Sequence, residues 1–157
     1  MKIHIGQLAP DFSLYDSEKK MVTLSELRGR NILLLFFPAA FTGTCTTELC
    51  SIRDNISVYN HLNAIVFGIS VDMVYTLAKY KEDQQLNFSL LSDFNKQAST
   101  EYDCLYETFS FGMKGVSKRA AFVIDKTGII RYAEVLEKAG DLPNFPAIQQ
   151  ALELLNN

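Results

Sequence analysis

The sequence predicts an α/β fold in which a mixed central β-sheet is flanked by helices and preceded by an N-terminal β-hairpin extension. Three observations predict it. Residues 32–37 and 64–71 are continuously apolar, as strands covered on both faces are. Between them Leu49, Ile52, Ile56 and Tyr59 recur at helical spacing and share one face, so strand, helix and strand form a right-handed parallel unit. Later, the turn Asp125-Lys-Thr-Gly128 separates an apolar run at 119–124 from an alternating run at 130–135, which are antiparallel partners.

The remaining elements follow in chain order. Residues 12–14 and 21–23 read as two short strands around the polar turn 16–20, and a short helix at 25–27 is ended by Gly29. A second helix is predicted over 73–83 and a shorter one over 96–102. Residues 107–116, with Gly112 and Gly115, read as a long loop of the kind that lines sites. Asn144 is placed to cap a last helix whose apolar face is Phe145, Ile148, Leu152 and Leu155, with Pro146 tolerated in the first turn. No repeat, linker or low-complexity tract interrupts the pattern, so residues 1–157 are expected to form one domain.

Composition narrows the function. A net charge of -3 without a run of Lys and Arg offers no field for nucleic acid or anionic lipid, and suits a small neutral substrate. The N-terminus lacks a signal-peptide apolar core, and the longest apolar run is too short to span a bilayer. Three cysteines are an odd number, which argues against a secreted disulfide framework and for reduced thiols in the cytoplasm. His4 and His61 have no partner at ligand or triad spacing, so no metal and no cofactor is assigned.

Chemistry concentrates in residues 36–50. An apolar strand stops at Pro38 and a helix begins near residues 42–44, placing Cys45 in the first helical turn. There, unpaired N–H groups and the helix dipole favour the thiolate, which is the nucleophilic form of cysteine. Thr42 is spaced to bring its hydroxyl near the sulfur, and Pro38 removes a donor and stiffens the approach. Glu48, one turn on, lies on the side where it can fix a cation beside the sulfur, and Arg119 is the candidate cation. The plainer reading of Cys45 is a small buried hydrophobe.

Context favours the reactive reading. The pattern Pro38-x-x-x-Thr42-x-x-Cys45 reproduces the signature of the peroxiredoxin family, and Arg119 at the start of Ala-Ala-Phe-Val-Ile-Asp-Lys-Thr-Gly resembles the strand and hairpin that carry that family's arginine. The likeness runs over nearly the whole chain, through Ala9-Pro10-Asp11-Phe12, Gly68-Ile-Ser-Val-Asp72 and Leu90-Leu-Ser-Asp93. It implies a thioredoxin-like fold and a thiol peroxidase. Cys45 would be the peroxidatic residue, with Pro38, Thr42 and Arg119 completing the peroxide pocket and Glu48 supporting Arg119. It also implies a thioredoxin- or glutaredoxin-like reductant.

The chain departs from typical two-cysteine members in carrying Thr46 where they often have Pro, and in lacking a resolving cysteine in a C-terminal tail. Cys45-Thr-Thr-Glu-Leu-Cys50 resembles the bacterioferritin-comigratory, or PrxQ, group, whereas Lys118-Arg-Ala-Ala-Phe and Ile130-Arg-Tyr-Ala-Glu-Val resemble the AhpE-like one-cysteine group. Both subgroups stay open.

After oxidation, Cys50 is the expected resolving thiol, forming a disulfide with the Cys45 sulfenic acid. On an intact helix their Cα atoms stand roughly 8.7 Å apart, too far to bond, so the helix start must unwind. Gly43 and the short polar run 44–47 are expected to offer little resistance. Cys104 reads as structural. Tyr102, Tyr106, Phe109 and Phe111 read as core and loop packing, with a dimer surface or a hydrophobic hydroperoxide site as the alternative. A disulfide reductase needs a C-x-x-C pair, which is absent. A redox sensor signalling through Cys45 is the competing class, separated from an enzyme by multiple turnover. Monomer and homodimer are both compatible with the sequence.

Overall fold

The computed structural model describes residues 3–156, so positions 1, 2 and 157 of the predicted domain and the first two residues of the N-terminal reading lie outside the described residues. Among the described residues seven strands form one mixed sheet: β1 (Ser13–Asp16), β2 (Met21–Thr23), β3 (Asn31–Phe36), β4 (Ala64–Ser70), β5 (Ser89–Ser92), β6 (Arg119–Ile124) and β7 (Ile130–Leu136). They lie side by side in the order β2-β1-β5-β4-β3-β6-β7. The helices are α1 (Gly43–Asp54), α2 (Ile56–His61), α3 (Val74–Gln84), α4 (Gln97–Glu101) and α5 (Phe145–Leu155), with 3-10 turns at Leu24–Leu27 and Ser110–Gly112.

The two apolar runs pair as predicted. β3 and β4 are parallel in the register Leu33↔Val66 and Leu35↔Gly68, and β6 lies antiparallel on the other side of β3. Every residue of β3 is buried, and they divide by parity. Leu33 and Leu35 join a core with Leu49, Ile52, Tyr59, Leu77, Tyr80, Ile148 and Leu152, which places α1, α2, α3 and α5 on that face. Ile32, Leu34 and Phe36 join a second core with Phe12, Leu14, Ala98, Tyr102 and Cys104, which places α4 and the N-terminal segment on the opposite face. Gly68 admits the close contact beside this wall: a Cβ there would stand 2.7 Å from Leu90 Cδ2. Among the described residues, no helix is long and apolar enough to cross a membrane.

Four features differ from expectation. The strand Ser89–Ser92 was not predicted: its four residues begin and end in serine and are too few to show a period, yet β5 pairs parallel with β4 and antiparallel with β1. The predicted helix through Leu49 and Tyr59 breaks at Asn55, whose ψ of 18° leaves the helical region while its side-chain amide donates to the Ser51 carbonyl at 2.8 Å. β1 is shifted to end at Asp16, whose carboxylate accepts from the backbone N–H groups of Glu18 and Lys20 and so forms the turn itself. The loop at 107–116 holds the 3-10 turn Ser110–Gly112, with Phe111 at a φ of 60° and 98% exposed.

Candidate active site

The site is assembled where β3 ends. Pro38 is buried, and the following backbone is fastened by Asp72 just past β4, whose Oδ2 accepts the Ala40 N–H at 2.8 Å and the Ser70 hydroxyl at 2.7 Å. Thr42 is extended and stands as the N-cap of α1, while its hydroxyl donates to the Ala39 carbonyl at 2.7 Å. Cys45 follows in the first turn with 1% of its surface exposed. Glu48, one turn later, is fully buried.

Antiparallel register brings the remote arginine here. Phe36 at the end of β3 pairs with Ala120, so Arg119 projects from the neighbouring strand at the level where the chain leaves the sheet for α1. Both of its terminal nitrogens donate to the Cys45 sulfur at 3.4 Å. Nη1 also donates to Glu48 Oε1 at 2.7 Å and Nη2 to the Ala139 carbonyl at 2.8 Å. A planar guanidinium thus grips a sulfur, a carboxylate and a carbonyl together, a geometry open to arginine and closed to lysine.

The electrostatics follow from burial. Desolvation pushes the Glu48 carboxyl up to about 7, against the pull of the Arg119 charge and hydrogen bond. For Arg119, burial works to lower the guanidinium, but Glu48 and Cys45 together outweigh it and hold it raised. Glu48 Oε2 and Arg119 Nε are buried without a hydrogen-bond partner among the described residues. One cation therefore donates two hydrogen bonds to a sulfur that stands in the first turn of a helix.

The three cysteines are free and differ in setting. Cys50 is half-buried on the same unbroken α1, its thiol 3.6 Å from Gln84 Oε1. Cys104 lies in the core on the other face of the sheet, where burial pushes its thiol up to about 12 despite the Ser117 hydroxyl nearby. The expected looseness of residues 44–47 is not found: Thr46 bonds to the Thr42 carbonyl and to Tyr80, and Thr47 to the Gly43 carbonyl. His4 and His61 are exposed, and among the described residues no three His, Cys, Asp or Glu side chains gather as metal ligands. Of the aromatic set, Tyr102 is in the core against Phe12, Phe36 and Phe122, and Tyr106 packs on Phe109.

Structure therefore brings together Cys45, Glu48 and Arg119, with Pro38 and Thr42 in the adjoining loop. It adds groups the sequence reading did not single out. The Ala139 carbonyl leaves no trace in sequence because any residue supplies one. Asp72 was visible only inside a motif of resemblance, and Tyr80, which supports Thr46 from outside the site, only as a position within the helix predicted over 73–83.

A cysteine held by an arginine beyond the end of a central strand, on a sheet of this order, is a thioredoxin-like arrangement built around one thiol. The family model for AhpC/TSA matches residues 5–133, and the chain belongs to that family, the peroxiredoxins. Alkyl hydroperoxide reductase E of Mycobacterium tuberculosis is 38% identical over 136 residues, covering 85% of this chain and 86% of that protein. The crystal structure of peroxidoxin BcpB from the same organism matches with a TM-score of 0.82 at 29% identity, over 98% of this chain and 97% of that one. The fold is shared with PrxQ of Xylella fastidiosa, at a TM-score of 0.88 and 22% identity over 100% and 99% of the two chains. The protein is a peroxiredoxin-type thiol peroxidase, and its substrate is a peroxide.

Proposed function

We propose that Cys45 is the peroxidatic nucleophile, acting on hydrogen peroxide and organic hydroperoxides. One observation carries the reading: both terminal nitrogens of Arg119 converge on the Cys45 sulfur at 3.4 Å. The thiolate attacks the terminal peroxide oxygen, the O–O bond breaks, and the electron pair leaves on the departing oxygen. That oxygen takes a proton to become water or alcohol, and the sulfur keeps a hydroxyl as sulfenic acid. Arg119 stabilises the negative charge moving along the O–O axis, the Thr42 hydroxyl, whose hydrogen goes to the Ala39 carbonyl, accepts from the peroxide O–H, Pro38 shapes the pocket and Glu48 positions Arg119.

Cys50 then resolves the sulfenic acid. Its sulfur attacks that of Cys45, an S–S bond forms and water leaves. Support comes from its place on the same helix and on the same core face, where Cys104 does not lie. A thioredoxin- or glutaredoxin-like dithiol returns the disulfide to two thiols. The chain performs this cycle as a single domain, monomer or homodimer, in the cytoplasm.

Stopped-flow oxidation tests the assignment with hydrogen peroxide and an organic hydroperoxide. Cys45→Ser is expected to abolish the fast reaction. Cys50→Ser is expected to keep it and accumulate sulfenic acid. Persistent sulfenic acid in the unmodified protein, with residues 45 and 50 unlinked, overturns the resolving step.

A further inference from the structure

Thr46 stands where two-cysteine relatives often carry proline, and its surroundings give that departure a use. Its backbone N–H donates to the Thr42 carbonyl at 3.0 Å, which proline cannot do, and its hydroxyl donates to the same carbonyl at 2.7 Å. With that hydrogen committed, the Thr46 oxygen is left to accept, so the Tyr80 hydroxyl at 2.8 Å is the donor. A relay of two hydrogen bonds therefore runs from α3 through Thr46 to the N-cap of α1. Tyr80 is fully buried, and its ring also packs 5.0 Å from Phe41, a bulky residue held at a φ of 64° in the left-handed region. One side chain holds both the loop before α1 and the first turn of α1.

We infer that Tyr80, acting through Thr46, is a positioning residue that latches the first turn of α1 and sets how a Cys45 sulfenic acid divides between disulfide and further oxidation. This rests on Cys50 as the resolving thiol. Residues five apart on an intact helix cannot bond, so Cys50 reaches Cys45 only after the first turn opens. While the turn is closed, the sulfenate attacks a second peroxide, whose O–O bond breaks to leave sulfinate and water or alcohol. The latch opposes the first fate and leaves the second untouched.

Two variants read the latch from opposite ends. Tyr80→Phe removes the donor and keeps the ring, and Thr46→Val removes the hydroxyl and keeps the N–H, so a folding defect in one leaves the other as the test. In each, sulfenic acid formation is expected to stay within about twofold of the unmodified protein, while disulfide formation rises about fivefold and the sulfinic fraction falls accordingly. The double variant should be no faster than Thr46→Val alone, because that change already removes the bond to Tyr80. Amide exchange at residues 46–48 of the reduced protein should speed up by about fivefold in both. Unchanged exchange and unchanged disulfide formation in the variants overturn the latch. If the unmodified protein forms no link between Cys45 and Cys50, the resolving role and the partition fall, and the exchange arm still decides whether the latch exists.

Discussion

At Cys45, one sulfur faces two N–H groups of a single guanidinium, and the consequences are open to measurement. Arg119→Lys keeps a positive charge but loses the second donor and the tether to Ala139, so Cys45 oxidation is expected to slow by about 100-fold in stopped-flow mixing. A rate within threefold of the original would show that the fork is not used. Glu48 gives a second test. Its carboxyl rises from 4.5 to about 7 on burial, so between these values the folded chain keeps a proton that the unfolded chain has released. This contribution to stability is full below 4.5 and is lost as pH rises through 7, by at most about 3 kcal/mol. Urea unfolding at about pH 5 and about pH 8 should show that loss in the unmodified protein and not in Glu48→Gln. Unchanged stability over the same window would mean that Arg119 keeps Glu48 ionised throughout. Cys45, Thr42, Pro38, Arg119 and Glu48 were legible because their residue types and spacings carry chemical meaning. Their convergence across 74 positions required the β3–β6 register, which no local pattern encodes.

The elements that hold the site were legible in proportion to their length and burial. β3 and β4 announced themselves as apolar runs because both faces of each are covered. α5 did so because Asn144 caps it and its apolar face is continuous, its side chain accepting the Ala147 N–H at 3.1 Å. β5 and α4 are short, and what joins them is a polar side chain buried by tertiary structure. The Asp93 carboxylate accepts the N–H groups of Ala98 at 3.0 Å and Ser99 at 2.7 Å, and its own N–H donates to the Ser70 carbonyl. With 1% exposure, Asp93 caps α4 where water cannot replace it. Asp93→Ala strands two buried N–H groups and is expected to cost about 3 kcal/mol in urea unfolding, with Asp93→Asn costing about half as much. A loss below about 1 kcal/mol for Asp93→Ala would show that α4 is held by Ala98 and Tyr102 packing instead.

Across the whole molecule, the sheet acts as a partition between thiols. Leu33 and Leu35 face the core that contains Cys45 and Cys50, while Ile32, Leu34 and Phe36 face the one that contains Cys104. Opening the first turn of α1 changes the reach of Cys45 on its own side only, because β3 pairs on both edges and carries no gap for a side chain to cross. Burial adds a chemical barrier, since a thiol pushed up to about 12 is scarcely ionised near neutral pH and attacks a sulfenic acid slowly. Peroxide treatment of Cys50→Ser should therefore give sulfenic and then sulfinic acid at Cys45, with no peptide joining residues 45 and 104 by mass spectrometry. Cys104→Ser should form the Cys45–Cys50 link at a rate within about twofold of the original, because one buried sulfur on the opposite face of the sheet changes packing more than chemistry. A bridge between 45 and 104 in either protein would require the strands between the two cores to part during turnover, and the sheet could not then be the fixed wall on which β3 and β6 present the site.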